Sequence, residues 1–265
     1  MEVAGYIGAL IMGLTLGLLG GGGSILTVPI LVYLFGIDAV AATGYSLFIV
    51  GSTALFGAGS HMRQGNVHWP SAISFGVPSI LAVFATRKWI MPALPDVWGH
   101  FGSITITKGI GLLLLFALLM VAAAVSMIRR NTFTIPTAGP RTTTSLISAL
   151  EGLTVGVLTG LVGAGGGFLI IPALVMFAGL GMKQAIGTSL VIIAAKSLIG
   201  FTGDLLQGTA MDWPFLLTFL GMAVAGTLIG SALSKYVSNE KLRPAFGWFV
   251  LIMGVAMVAK ELLGA

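Results

Sequence analysis

The 265-residue chain is 57% hydrophobic and only 8% charged, with a mean hydropathy of +1.05. Soluble proteins carry about 25% charged residues, so the composition excludes a soluble domain and defines a polytopic membrane protein. The net charge of +5 comes without a basic cluster interleaved with aromatics, which argues for loop-orienting cations rather than nucleic acid, and the absence of cysteine excludes a disulfide framework or thiolate metal site.

Hydropathy predicts ten apolar segments, five on each side of a polar linker. The first covers residues 3–19; it carries Glu2 and no basic residue ahead of it, so it reads as a membrane segment rather than a cleaved signal. It ends at Gly20-Gly21-Gly22-Gly23-Ser24. The second, 24–35, is too short to cross the hydrocarbon, which needs about 20 residues. The third is 40–58, followed by a polar loop with His61, Arg63, Gln64, Asn66 and His68. The fourth is 69–86, followed by a loop with Arg87, Lys88, Asp96 and His100, and the fifth is 104–128. Residues 129–144 form a cationic linker rich in helix breakers. The second half then runs 145–162, 167–180, 184–201, 213–233 and 244–263. The domain reading is therefore a first membrane repeat over 1–128, a cytoplasmic linker over 129–144 and a second membrane repeat over 145–265.

The two halves are one sequence written twice. At a constant offset of 143, the distance from Pro29 to Pro172, Gly13, Gly17, Gly20, Gly22, Gly23, Leu26, Leu31 and Gly36 also meet identical residues. Ala42-Thr43-Gly44-Tyr45-Ser46-Leu47 aligns with Ala185-Ile186-Gly187-Thr188-Ser189-Leu190, and Gln64-Gly65 with Gln207-Gly208. Placing Arg129, Arg130 and Arg141 in the cytoplasm and inverting the second half gathers Arg63, Lys183, Lys235, Lys241 and Arg243 on the same side. Asp38, Asp96, Asp204 and Asp212 then lie outside with Arg87 and Lys88. The predicted fold is thus an all-α polytopic membrane protein with two inverted-topology repeats of about five helical segments each, glycine-broken in each repeat. Parallel repeats are the alternative.

The glycine runs Gly20–Gly23 and Gly163-Ala164-Gly165-Gly166-Gly167 break helices at membrane depth, tolerated where backbone is buried in protein or lines a cavity. Each precedes a short helix, starting near Ser24 or Gly167, whose free N–H groups suit an anion; close helix packing is the plainer role for such glycines. Ser24 reads as an N-cap. Inverted repeats would bring both helix starts to one midplane cavity. Thr43, Gly44 and Ser46, with Gly187, Thr188 and Ser189, form two hydroxyl clusters that either donate to an oxyanion or bond back to their own helix. Lys196 lies in mid-segment, where a cation is a functional hypothesis by default. It is about 12 Å of helix from Asp204, too far for easy snorkelling. Asp204 is the coupling candidate, for a proton or sodium ion. The histidines lack metal-ligand spacing, and nothing calls for a cofactor.

Gly-Leu-Leu-Gly-Gly-Gly-Gly-Ser…Pro over 17–29 and Gly-Leu-Val-Gly-Ala-Gly-Gly-Gly…Pro over 160–172, with the two Gly-x-Ser-Leu blocks, resemble the TauE/SafE sulfite exporter family of membrane permeases. The resemblance covers nearly the whole chain and implies a duplicated membrane fold that moves small anions, notably sulfite and organosulfonates, without enzymatic activity. Bulky Tyr45 opposite Thr188, and Lys196, depart from it. The expected function is a secondary transporter that moves a small sulfur-containing anion across a bacterial-type cytoplasmic membrane by alternating access. An anion channel and a Ser–Lys intramembrane enzyme are the rivals, the latter weakened by the roughly 10 Å of helix between Ser189 and Lys196.

Overall fold

Each half opens with a helix that stops on a left-handed glycine. In the computed structural model, which describes residues 2–101, 104–128, 145–176, 178–208, 211–233 and 239–263, α1 (Glu2–Leu19) ends at Gly20, φ +70°, and α7 (Ser145–Val162) ends at Gly163, φ +73°. Such a backbone is open to glycine without the Cβ penalty other residues incur. After Gly20 comes a 3-10 turn, Gly22–Leu26, and then α2 (Thr27–Tyr33). This segment folds back along α1: Gly23 packs on the backbone at Met12 and Leu16, Gly8 on Ile30, and Gly5 on the Phe35 ring. The α1–α2 unit is therefore a hairpin that begins and ends at the same end of the molecule. The expected N-cap at Ser24 is not formed; its hydroxyl donates to the Gly21 carbonyl at 2.7 Å, and the helix starts without a side-chain cap. In the second half, α8 (Gly167–Met176) follows Gly163 in the same way.

Long helices complete each half. In the first, α3 (Ala39–Arg63) is capped by Asp38, whose carboxylate accepts from Val40 and Ala41 N–H. The next helix, α4 (Trp69–Ala85), continues through a π-turn at Thr86–Ile90 into α5 (Met91–Ala93). An antiparallel hairpin, β1 (Val97–Phe101) and β2 (Ile104–Thr107), leads to α6 (Lys108–Ile128). The second half holds α9 (Met182–Leu205), α10 (Trp213–Leu233) and α11 (Asn239–Leu263). Two expectations change here. Arg87 and Lys88, read as loop, lie in the helical extension of α4, because the apolar run resumes at Trp89-Ile90-Met91. The fifth segment begins at Lys108, because alternating β-branched Ile104-Thr105-Ile106-Thr107 favours a strand. The linker 129–144 lies outside the described residues.

Among the described residues, six stretches are long and apolar enough to cross a membrane: Glu2–Leu19, Ala39–Arg63, Trp69–Ala93, Lys108–Val125, Met182–Leu205 and Trp213–Leu233. Large apolar side chains such as Leu55, Phe56, Ile73, Leu81, Leu118 and Leu217 are exposed on them. An all-helical spanning structure satisfies its backbone internally, which lipid demands.

The halves interlock. Helix α1 packs on α10, and its repeat equivalent α7 packs on α4, the equivalent of α10. In both seams glycines allow close approach: Gly13 meets the Ala223 backbone and Gly17 that of Thr227, while their equivalents Gly156 and Gly160 meet the Ser79 backbone and the Thr86 side chain. Lipid tails are as apolar as leucine, so helices associate in it by close packing and hydrogen bonds rather than by water exclusion. Thr227 Oγ1 adds a bond to the Gly13 carbonyl at 2.9 Å. The equivalent helices α3 and α9 pack on each other antiparallel: Gly44 faces Asp204, Gly51 faces Leu198 and Gly57 faces Leu190. The start of α9 thus lies at the α3–α4 turn, where His68 N–H donates to Thr188 Oγ1 at 2.9 Å. Arg63 and Lys183 accordingly share one end of the molecule. Asp38 and Asp204 share the other, together with Asp212, whose N–H donates to Tyr45 Oη at 2.9 Å.

Candidate functional site

The two glycine bends meet. A Cβ added to Gly21 would run into the Gly167 backbone, and one added to Gly167 would run into Gly21. Around this contact the repeats exchange equivalents: Gly20 abuts Ile186, and Gly163 abuts Thr43. Val50 and Ile193, equivalents of each other and both buried, pack over the bends against Gly165 and, for Ile193, Gly21. The bends therefore touch directly, through backbone and two β-branched side chains. Gly20, Gly21, Gly22, Gly23, Ser24, Gly163, Gly165, Gly166 and Gly167 are all buried.

Lys196 points at the second bend. The residue is fully buried, and its Nζ donates to Thr159 Oγ1 at 2.9 Å, close enough to Gly166 that a Cβ there would lie 2.8 Å from it. Among the described residues no carboxylate pairs with it. It does not reach towards Asp204. Ser189 is engaged elsewhere, donating to the Ile186 carbonyl at 2.8 Å, so no Ser189–Lys196 dyad exists. Of the other hydroxyls, Thr43 donates to the Val40 carbonyl at 2.7 Å, Thr188 accepts from His68, and Ser46 is buried with no hydrogen-bond partner. Gly187 packs against the Asn66 carbonyl, away from the bends.

A cavity of about 270 Å³ opens at the acidic end, lined by Asp38, Gly44, Arg87, Lys108, Asp204 and Gln207 among others. Arg87 reaches it from the π-turn, a widening of the helix that often marks functional positions. Arg87, 1% exposed, donates from Nη1 to Thr43 Oγ1 at 3.1 Å, and its Nε lies 3.6 Å from Asp204 Oδ2. Gln207 donates from Nε2 to the Arg87 and Gly203 carbonyls, and Lys108 Nζ donates to the Met91 carbonyl. Thr43 joins the two regions: its hydroxyl touches Arg87 and its backbone touches Gly163. Of the residues singled out from sequence, Gly44 and Asp204 line this cavity. Arg87 and Lys108 were missed as site residues; the signal for Arg87 was an apolar run resuming after a charge. No group of three or more metal-ligating side chains occurs among the described residues.

Membrane-length helices from two matching halves, joined at broken helices beside buried cations, define a polytopic helical membrane transporter. The sequence matches the sulfite exporter TauE/SafE family over residues 6–257, and the chain belongs to that family. It is 31% identical to a probable membrane transporter protein of Xylella fastidiosa, over 94% of this chain and 91% of that one. It is 27% identical to one of Methanocaldococcus jannaschii over 94% of both chains, and 24% identical to YdhB of Bacillus subtilis over 94% of this chain and 96% of that one. No solved structure matches it.

Proposed function

We propose that the chain is a secondary transporter of a small sulfur oxyanion, sulfite or an organosulfonate, in a bacterial-type cytoplasmic membrane. The observation that carries this reading is Lys196: fully buried, without a carboxylate partner among the described residues, and held at a glycine bend that abuts its counterpart. A buried cation without a counter-charge is costly, and an anionic substrate would supply one. The Gly163–Gly167 backbone ahead of α8 adds the positive end of a helix dipole on the same side.

The halves are read as inverted repeats. Antiparallel packing of the equivalent helices α3 and α9 supports this, as does a hairpin that returns to its own side and leaves α3, α4 and α6 as three crossings in the first half. Alternating access would then rock one half against the other about the Gly21–Gly167 contact. The end with Arg63 and Lys183 would face the cytoplasm. Asp204 is assigned to coupling: it is buried with Arg87 as its cation, and an incoming anion would compete for that cation, leaving Asp204 to take a proton or sodium ion.

The test is flux in proteoliposomes. Sulfite and methanesulfonate should move, and Lys196→Ala should reduce flux at limiting substrate at least tenfold. Normal flux through that variant would remove Lys196 from the reading.

A further inference from the structure

Of the three guanidinium nitrogens of Arg87, one is engaged in a hydrogen bond and two are not. Nη1 is held by Thr43, and the Arg87 main-chain carbonyl is held by Gln207, so the residue is anchored at both its backbone and its tip. Its Nε and Nη2 are buried and have no hydrogen-bond partner. These two nitrogens form one edge of the guanidinium, the fork that takes two oxygens of one anion side by side. Asp204 is close but does not fill the fork. Its Oδ2 stands 3.6 Å from Nε, beyond a hydrogen bond, and is itself unpartnered.

We propose that the Nε–Nη2 edge of Arg87 is a docking point for a two-oxygen anion of the sulfonate or sulfite type, at the acidic end and separate from Lys196. The proposal rests on the anion-transport reading above and adds to it an entry position with its own residue. Four observations carry it. The unengaged edge belongs to a residue that lines the cavity. The cavity, about 270 Å³, has room for an anion of a few heavy atoms. A second cation, Lys108, lines the same space and has no carboxylate partner among the described residues. Of the two acids there, Asp38 is committed to capping α3, so Asp204 alone competes for Arg87. Asp204 therefore acts as a resident stand-in: it occupies the anion's place loosely in the empty protein and yields to a ligand with two well-spaced oxygens. Thr43 then ties the docking point to the second glycine bend, since one residue touches both Arg87 and Gly163.

The experiment measures binding and flux on the purified full chain with methanesulfonate and sulfite, and chloride as the one-atom control. Arg87→Lys keeps the charge and removes the fork. It should weaken methanesulfonate and sulfite binding at least tenfold and raise the half-saturation for flux from the acidic end by a similar factor. Chloride binding should be unchanged. Asp204→Asn removes the competitor and should bind methanesulfonate as tightly as the parent or more so. If Arg87→Lys does not yield folded protein, Asp204→Asn decides alone: a tenfold loss of affinity there overturns the proposal. Wild-type half-saturation in Arg87→Lys also overturns it, and if Lys196→Ala abolishes flux in the same series, the docking point falls while the transport reading stands. Wild-type protein that moves neither anion sinks both.

Discussion

Gly21 and Gly167 touch backbone to backbone, each occupying the space where the other's Cβ would be. These residues come from different halves of the chain, so the contact is one of the places where the repeats meet. A methyl on Gly167 meets only the Gly21 peptide, with no flexible side chain to push aside. Gly167→Ala should therefore cost about 1–3 kcal/mol of stability, in the range of overpacked cores, and reduce flux. A melting temperature within a degree of the parent, with full flux, would show that the contact gives way freely.

Removal of the Lys196 charge should separate stability from transport. A buried cation without a carboxylate is a liability to folding, and an apolar side chain of similar length removes it. Lys196→Met should hold or raise the melting temperature in detergent while flux falls at least tenfold. A variant that loses stability and flux together would make Lys196 a structural residue.

Thr159 is the hydrogen-bond partner of Lys196. Thr159→Val keeps the volume and removes the acceptor, so the ammonium loses its tether beside Gly166. The half-saturation for methanesulfonate should rise several-fold with little change in maximal flux. An unchanged half-saturation would mean that Thr159 does not position the lysine.

The α1–α10 seam carries an interhelical hydroxyl bond from Thr227 to the Gly13 carbonyl. In membranes such bonds contribute about 0.6 kcal/mol on average. Thr227→Val should thus be nearly silent, whereas Gly13→Leu, which drives a side chain into the Ala223 backbone, should prevent folding. Comparable loss in both variants would show that hydrogen bonding rather than close approach holds the seam.

A chain without cysteine permits a direct test of topology. Single cysteines at Arg63 and Lys183 should react with a membrane-impermeant maleimide from one side, and those at Asp96 and Asp212 from the other. Labelling of Arg63→Cys and Lys183→Cys from opposite sides contradicts the inverted reading.

How much of this was legible in advance follows physical lines. Hydropathy, glycine runs and prolines are local quantities, so α1, α3, α9 and α10, the stops at Gly20 and Gly163, and the internal duplication could be read directly. The strand at Ile104–Thr107 could not be separated from a helix start by hydropathy, since both are apolar; only the alternation of side chains distinguishes them. Arg87 was misread because a charge after an apolar run marks a helix end as readily as a buried site.

By itself, the amino-acid sequence determined that this is a duplicated helical membrane protein with a broken helix in each half and a cation in mid-membrane. Only the tertiary structure decided that α2 folds back on α1, that the two breaks touch, that Lys196 turns to Thr159 and Gly166, and that Arg87 faces Asp204 with one edge unengaged. The reason is the range of the forces involved. Helix breaking and membrane partition depend on neighbouring residues, whereas the pairing of a buried charge is set by whichever helix packing brings within a few ångströms, and those partners lie as far apart in the chain as Arg87 and Asp204.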